Sequence, residues 1–234
     1  MSKYSQAPVD LATVDNDGQR WVALLDFDGT ISHQDVTDGL LRRFGRPGWQ
    51  AIEQQWEEGL IGSRDCMTRQ IAMLDMTLAQ FYDHLSSVTL DPSFAAFLDV
   101  AGARNIPVSI LSDGLAQAIA FILQRHGISG LPIYANQIEL QGESSWRLRT
   151  PYSRPDCGPA SAHCKCSQLP SRRRRTLYIG DGASDFCIAA KADVVFAKGR
   201  LADYCKAQGI AHQPIHDFND VLVHLAQVDV VTAP

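Results

Sequence analysis

The sequence predicts an α/β protein: a doubly wound, mostly parallel sheet with a small helical cap inserted after the first strand. Three observations predict it. Short runs rich in Val, Ile and Leu alternate with helical periods in the second half of the chain. About eighty residues without a strand signal separate the first such run from the second, too many for one crossover helix. Acidic and hydroxyl residues follow several of the runs, where ligands bind in open α/β sheets.

The elements follow in order. Residues 1–20 are polar, lack the basic and apolar regions of a secretory signal, and read as a flexible tail. "WVALLDF" (21–27) is the first strand. The cap is expected over 33–90, and the core over 21–32 and 91–234. Within the cap, "DVTDGLLRRFG", "GWQAIEQQWEEG", "SRDCMTRQIAML" and "TLAQFYDHLSSV" have helical spacing, and Thr77 with Gln80 is a capping-box pair. Asp91 is expected to cap a helix that starts at Pro92 and returns the chain to the core. "PVSILS" (107–112) is a strand, and "GLAQAIAFILQRHG" (114–127) a helix stopped by Gly127. "PIYAN" (132–136) is a strand, and "QIELQGESSWRLRTPY" (137–152) a hairpin turning near Gly142. "TLYIG" (176–180) and "DVVFA" (193–197) are buried strands. Helices are expected over 183–192, 199–209 and 217–227, the last capped by Asp217.

Composition narrows the function. With 234 residues, 45% of them hydrophobic, the chain can bury one sizeable core. A net charge of -5 gives no surface for nucleic acid, and the basic run "SRRRRTLYIG" (171–180) reads as a solvated loop. No apolar run is long enough to span a bilayer. The expected partner is a small molecule, not a nucleic acid or a membrane, and the chain is expected to be a monomer or a homodimer. Six cysteines without a secretory signal fit the reducing cytoplasm. Cys157, His163, Cys164 and Cys166 lack the paired spacing of a zinc site. Cys66, Cys187 and Cys205 read as small core residues.

The chemistry lies in "LLDFDGTIS" (24–32). Residues i and i+2 of a strand point to one side, so Asp26 and Asp28 aim in a similar direction. Two carboxylates so close repel unless a cation or a proton separates them. Other strand ends carry Ser112-Asp113-Gly114 and "GDGASD", with Asp181 and Asp185; an irregular loop carries Lys165. Phosphate ester hydrolysis needs such a set. The dianion and the carboxylates require a divalent cation and a fixed positive group, and oxygen-only ligands favour magnesium over zinc. Thr30 and Ser112 offer hydroxyl donors to phosphate. Asp26 is the candidate nucleophile, and Asp28 the acid that protonates the leaving alkoxide and then the base for water.

"DFDGT", a serine ending the second strand, a following lysine and "GDGxSD" resemble, in order, the four motifs of the haloacid dehalogenase-like superfamily. The resemblance covers residues 21–227. The helical insert after the first motif resembles the phosphoserine-phosphatase-type subclass. "CGPASAHCK", "FAKGRLADYCKAQGI" and "HDF" near 216 are similar to methionine-salvage phosphatases. The resemblance implies Asp26 as nucleophile and Asp28 as acid/base. It implies magnesium on Asp26, the Asp28 carbonyl and Asp181, with Asp185 supporting the site, and phosphate on Ser112 and Lys165. Asp113-Gly114 stands where these families have two glycines, so Asp113 is expected to add a carboxylate near the substrate entrance. Asp35 is expected to meet a substrate amine or hydroxyl, with Asp38 on the same first cap helix, and Arg69 a substrate carboxylate or carbonyl. The expected substrates are a methionine-salvage-type enol phosphate, then phosphoserine, then another sugar or alcohol phosphate. A phosphotransferase, or a non-catalytic phospholigand-binding protein on the same fold, remains open.

Overall fold

A computed structural model describes residues 20–170 and 174–232. The tail expected over 1–20, Arg20 aside, and positions 171–173 of the arginine run lie outside the described residues. Seven strands form one sheet in the order β4-β3-β2-β1-β5-β6-β7. β1 (Arg20–Leu25) lies between β2 (Val108–Leu115) and β5 (Arg174–Gly180), parallel to both. β3 (Ile133–Gln141), β6 (Val194–Ala197) and β7 (Gln213–Pro214) keep the parallel order, and β4 (Ser145–Arg149) closes one edge antiparallel. β7 is too short to show a period in the sequence.

The destinations of the side chains explain the strands. On β1, Trp21, Ala23 and Leu25 enter one hydrophobic layer, and Val22 and Leu24 the other. β5 and β6 divide likewise, with Leu177, Ile179, Val194 and Phe196 on one face and Tyr178, Val195 and Ala197 on the other. Period two with both faces apolar is what a parallel strand between helix layers requires.

Four helices form the insert after β1: α1 (Val36–Phe44), α2 (Trp49–Glu57), α3 (Ser63–Ile71) and α4 (Leu78–Leu85). Asp35 caps α1, and Thr77 with Gln80 completes the capping box of α4. The two ends of the insert meet where Ser32 bridges Leu90. Its later part is tied to the hairpin, where Trp146 Nε1 donates to the Met76 carbonyl at 2.8 Å.

Four boundaries differ from expectation. α5 (Phe94–Ala103) starts two residues after Pro92. The Asp91 carboxylate instead accepts from Ser93 N at 2.8 Å and Phe218 N at 2.9 Å, a turn that joins α5 to α9 (Phe218–Thr232). β2 runs past Ser112 through a bulge against β3, and β3 continues into the hairpin as one strand. Finally, 183–192 splits into a 3₁₀ turn (Ala183–Asp185) and a single turn, α7 (Phe186–Ala189). There Asp185 draws the N–H groups of Asp181 and Gly182 onto its own side chain. α6 (Ala116–Arg125) and α8 (Gly199–Gln208) form as expected, stopped by Gly127 and Gly209 in left-handed conformations. Asp217 accepts from Asp220 N and caps α9. Among the described residues no helix is long and apolar enough to cross a membrane.

Candidate active site

The strand ends of β1, β2 and β5 meet the insert at a cavity of about 300 Å³. Asp26 and Asp28 both line it, with Ser112, Asp113, Gly114 and Asp181. Asp26 continues the ladder of β1, its N–H donating to the Ile179 carbonyl. Its Oδ1 accepts from Phe27 N at 2.7 Å and from Lys165 Nζ at 2.9 Å. Burial, and then the Asp185 charge, raise its pKa well above the usual carboxylate range despite Lys165.

Asp28 is held by Val36 N at 2.9 Å on Oδ1 and by Ser112 Oγ at 3.4 Å on Oδ2. Burial, and then Asp35, push its pKa up to about 8. At neutral pH that shift favours its protonated form. Two glycines make room for these groups. A Cβ at Gly114 would lie 2.2 Å from Asp28 Oδ2, and a Cβ at Gly29 would lie 2.5 Å from Asp181 Oδ2. Gly29 also needs its φ of +71°.

Lys165 is fully buried behind the cavity wall. Burial would lower its pKa, but the Asp185 and Asp26 carboxylates outweigh that and hold it charged. An ammonium has three N–H donors. Here they go to Asp26, to Asp185 Oδ1 at 2.6 Å and to Ser184 Oγ at 2.9 Å. In this arrangement all three donors of Lys165, expected to hold the substrate phosphate, are used on the protein.

Asp26, Asp181 and Asp185 each have an oxygen within 4.8 Å of the other two. The donor set is oxygen only, and Asp181 too is raised by burial and by Asp185, so the single ammonium of Lys165 leaves the three carboxylates short of positive charge. Both features fit a hard divalent cation. Asp26 and Asp181 face the cavity, whereas Asp185 is fully buried and its oxygens are taken by Lys165, Tyr178 and the N–H groups of Asp181 and Gly182. Asp185 therefore orients the cluster from behind.

Other sequence candidates are placed differently. Thr30, expected to offer its hydroxyl to phosphate, is buried and donates to Asp181 Oδ1 at 2.7 Å. Asp35 and Asp38 line the cavity, Asp35 accepting from Asp38 N and Asp38 pairing with Arg42. Arg69 does not: its guanidinium stays at the surface with Asp65 at 3.3 Å and Gln55 at 3.0 Å, as helix spacing favours. Asp113 does line the cavity, but protein donors occupy its carboxylate. Cys164 and Cys166 bring their Sγ atoms to 3.6 Å. His163 turns its Nδ1 to the Ser112 carbonyl at 3.0 Å, with burial lowering its pKa to about 4.

The sequence reading missed Ser63, Glu53, Trp56 and Gln70 of the insert wall, Ser184 and Arg200 of the core wall, and Tyr178 behind the cluster. Tyr178 read as one more apolar strand residue. The insert residues come close to Asp26 only through the tertiary fold.

A model of the haloacid dehalogenase-like hydrolase family matches residues 23–190. A 2-hydroxy-3-keto-5-methylthiopentenyl-1-phosphate phosphatase of an Exiguobacterium strain is 30% identical over 217 residues, covering 88% of this chain and 98% of that protein. A polyol phosphate phosphatase of Saccharomyces cerevisiae is 27% identical over 225 residues, covering 88% and 93%. The solved phosphoserine phosphatase from T. onnurineus superposes with a TM-score of 0.65 at 16% identity, covering 93% of this chain and 97% of that one, a likeness of fold. From its motifs, its sheet and this match across most of its length, the chain belongs to the haloacid dehalogenase-like hydrolase family.

Proposed function

We propose that the chain is a phosphomonoesterase of a small metabolite whose part beyond the phosphate is neutral and bears hydroxyl groups, a methionine-salvage-type enol phosphate first. The observation that carries the reaction is the pair Asp26 and Asp28 in one cavity, the first beside Lys165 and the second raised to about 8. Asp26 attacks phosphorus and the ester oxygen leaves, taking the proton of Asp28. The resulting aspartyl-phosphate is hydrolysed by water that gives its proton back to Asp28, releasing phosphate and restoring both carboxyl groups. Asp26 and Asp181 would hold a divalent cation, magnesium by the donor set, which supplies charge neutralisation to the phosphoryl group. The helical insert acts as a cap that excludes water.

The cavity wall supports the substrate class. Its insert side carries Asp35, Asp38, Glu53 and Glu57 beside Trp56 and Met67, and the one arginine among the lining residues, Arg200, stands on the core side on α8. Carboxylates accept from hydroxyl groups and repel anionic tails. That disfavours an anionic group against the insert side, such as the carboxylate of phosphoserine. The test is phosphate release with magnesium from the enol phosphate, glycerol phosphate, phosphoserine and 3-phosphoglycerate. The neutral esters should exceed the carboxylate-bearing ones in kcat/KM by roughly tenfold or more. Phosphoserine as the best substrate would overturn this reading.

A further inference from the structure

We propose that Asp113 is a positioning residue that locks the seating of the helical insert to the loop bearing Lys165, so that opening of the cavity and displacement of Lys165 occur together. Its kinetic test rests on the phosphatase reading; its structural test does not.

The Asp113 carboxylate gathers three separate elements. Oδ2 accepts from Ser63 Oγ, at the start of α3, at 2.9 Å. Oδ1 accepts from His163 N at 2.7 Å and from Asn136 Nδ2 of β3 at 3.2 Å. Asn136 is fully buried and also donates to the Asp113 carbonyl at 2.6 Å, which fixes the tip of β2 beneath the carboxylate. With three donors on two oxygens, Asp113 is committed to the protein and not to a substrate.

The contact continues on both sides. Ser63 Oγ accepts from Ala162 N at 3.1 Å, and Arg64 N donates to the Ala160 carbonyl at 3.2 Å. A Cβ at Gly62 would lie 2.6 Å from Ala160 Cβ, so the insert and the loop approach backbone to backbone here. Two residues beyond His163 stands Lys165, which bonds Asp26. Between β4 and β5 the described chain has only one short turn of regular structure, Lys165–Gln168. Its placement therefore depends on side-chain contacts of this kind. Movement of α3 away from the core breaks the bonds at Ser63 and Arg64 and removes one side of the support that holds the loop.

The experiment compares Asp113→Ala, Asp113→Asn and Ser63→Ala with wild type by hydrogen–deuterium exchange and by kinetics on p-nitrophenyl phosphate with magnesium. Asp113→Ala should raise amide exchange in segments 62–66 and 160–165 together, by roughly tenfold or more, while β1 and β5 stay protected. Its kcat should fall by roughly tenfold or more, with KM within about threefold of wild type. Asp113→Asn keeps one carbonyl acceptor and should recover part of both losses. Ser63→Ala should loosen the same two segments to a smaller extent. Loosening of one segment alone, or an unchanged kcat in Asp113→Ala, overturns the proposal. If Asp113→Ala does not fold, a Ser63→Ala protein with a wild-type 160–165 segment overturns it equally. A wild type that hydrolyses no phosphate ester would defeat the phosphatase reading and leave the exchange result to decide this one.

Discussion

Gly114→Ala tests the acid assignment with a single methyl group. Gly114 does not occupy the left-handed region, so alanine meets no backbone strain there. The new Cβ would stand 2.2 Å from Asp28 Oδ2 and 3.0 Å from Ser112 Oγ. A comfortable carbon–oxygen contact is about 3.3 Å, so the Asp28 carboxylate has to retreat by about 1 Å. Its other oxygen is held by Val36 N at 2.9 Å, so the retreat breaks alignment. A displacement of about 1 Å at a reacting group costs roughly 100-fold, or about 3 kcal/mol of barrier. The loss should depend on the leaving group. An alkoxide needs the proton of Asp28, whereas p-nitrophenolate leaves without one. The expected result is a kcat/KM, which reports the step in which the ester oxygen leaves and not the later attack of water, about 100-fold lower on glycerol phosphate and within about tenfold of wild type on p-nitrophenyl phosphate. Steady-state phosphate release on both esters reads this, with Asp28→Asn as the reference and circular dichroism to show that the fold is kept. Equal losses of kcat/KM on the two esters, or a wild-type kcat/KM on glycerol phosphate, would refute Asp28 as the acid.

Three further outcomes are expected. Asp26→Asn should fold and lose turnover by several orders of magnitude, since an amide cannot form the aspartyl-phosphate; retention of a tenth of wild-type kcat would rule out the covalent route. EDTA should silence the enzyme, magnesium should restore it and calcium should restore little, because its larger shell fits the cluster poorly; full activity after exhaustive chelation would remove Asp181 from its role. The pH dependence follows from Asp28, whose pKa stands at about 8 against an ordinary 3.8. Turnover of alkyl phosphates should fall tenfold per pH unit above about 8, where the proton is lost, and Asp28→Asn should lack that limb. In metal-free buffer the same shift lowers stability as pH rises from 3.8 to 8, because only the folded state keeps the proton across that window. Chemical denaturation of Asp28→Asn should show a shallower decline over the same range.

The parts of the fold visible in the sequence were those with local causes. β1, β5 and β6 are short apolar runs whose two faces are both buried, and Thr77-x-x-Gln80 specifies its cap without tertiary help. Asp26, Asp28, Asp181 and Asp185 were legible because they follow strand ends, where an α/β sheet places its ligands. What stayed hidden depends on partners far along the chain. Asp91 looked like a helix cap until Phe218 N claimed one of its oxygens. Thr30 looked like a free hydroxyl until Asp181, 151 residues away, took it. Arg69 looked like a substrate contact, but the seating of α3 leaves it at the surface with Asp65, one turn back on the same helix, and Gln55 of α2.

The charges of the site give Lys165 a structural role apart from any part in the proposed reaction. Asp26 and Asp185 are buried, and each depends on the same ammonium. Removing one partner of a buried pair costs about 3–5 kcal/mol, a large share of the roughly 5–15 kcal/mol that holds a domain together. Lys165→Met would leave two carboxylates without their shared cation, so loss of activity in that variant alone cannot be read as loss of a phosphate contact. Lys165 gains a donor for phosphate only when Asp26 gives one up. Bond formation between Asp26 and phosphorus does that, since the carboxylate charge passes to the phosphoryl oxygens and the pull of Asp26 on Nζ weakens. On this view Lys165 favours the aspartyl-phosphate over the bound ester, an interaction made along the reaction and not in the ground state, which is the kind that lowers a barrier.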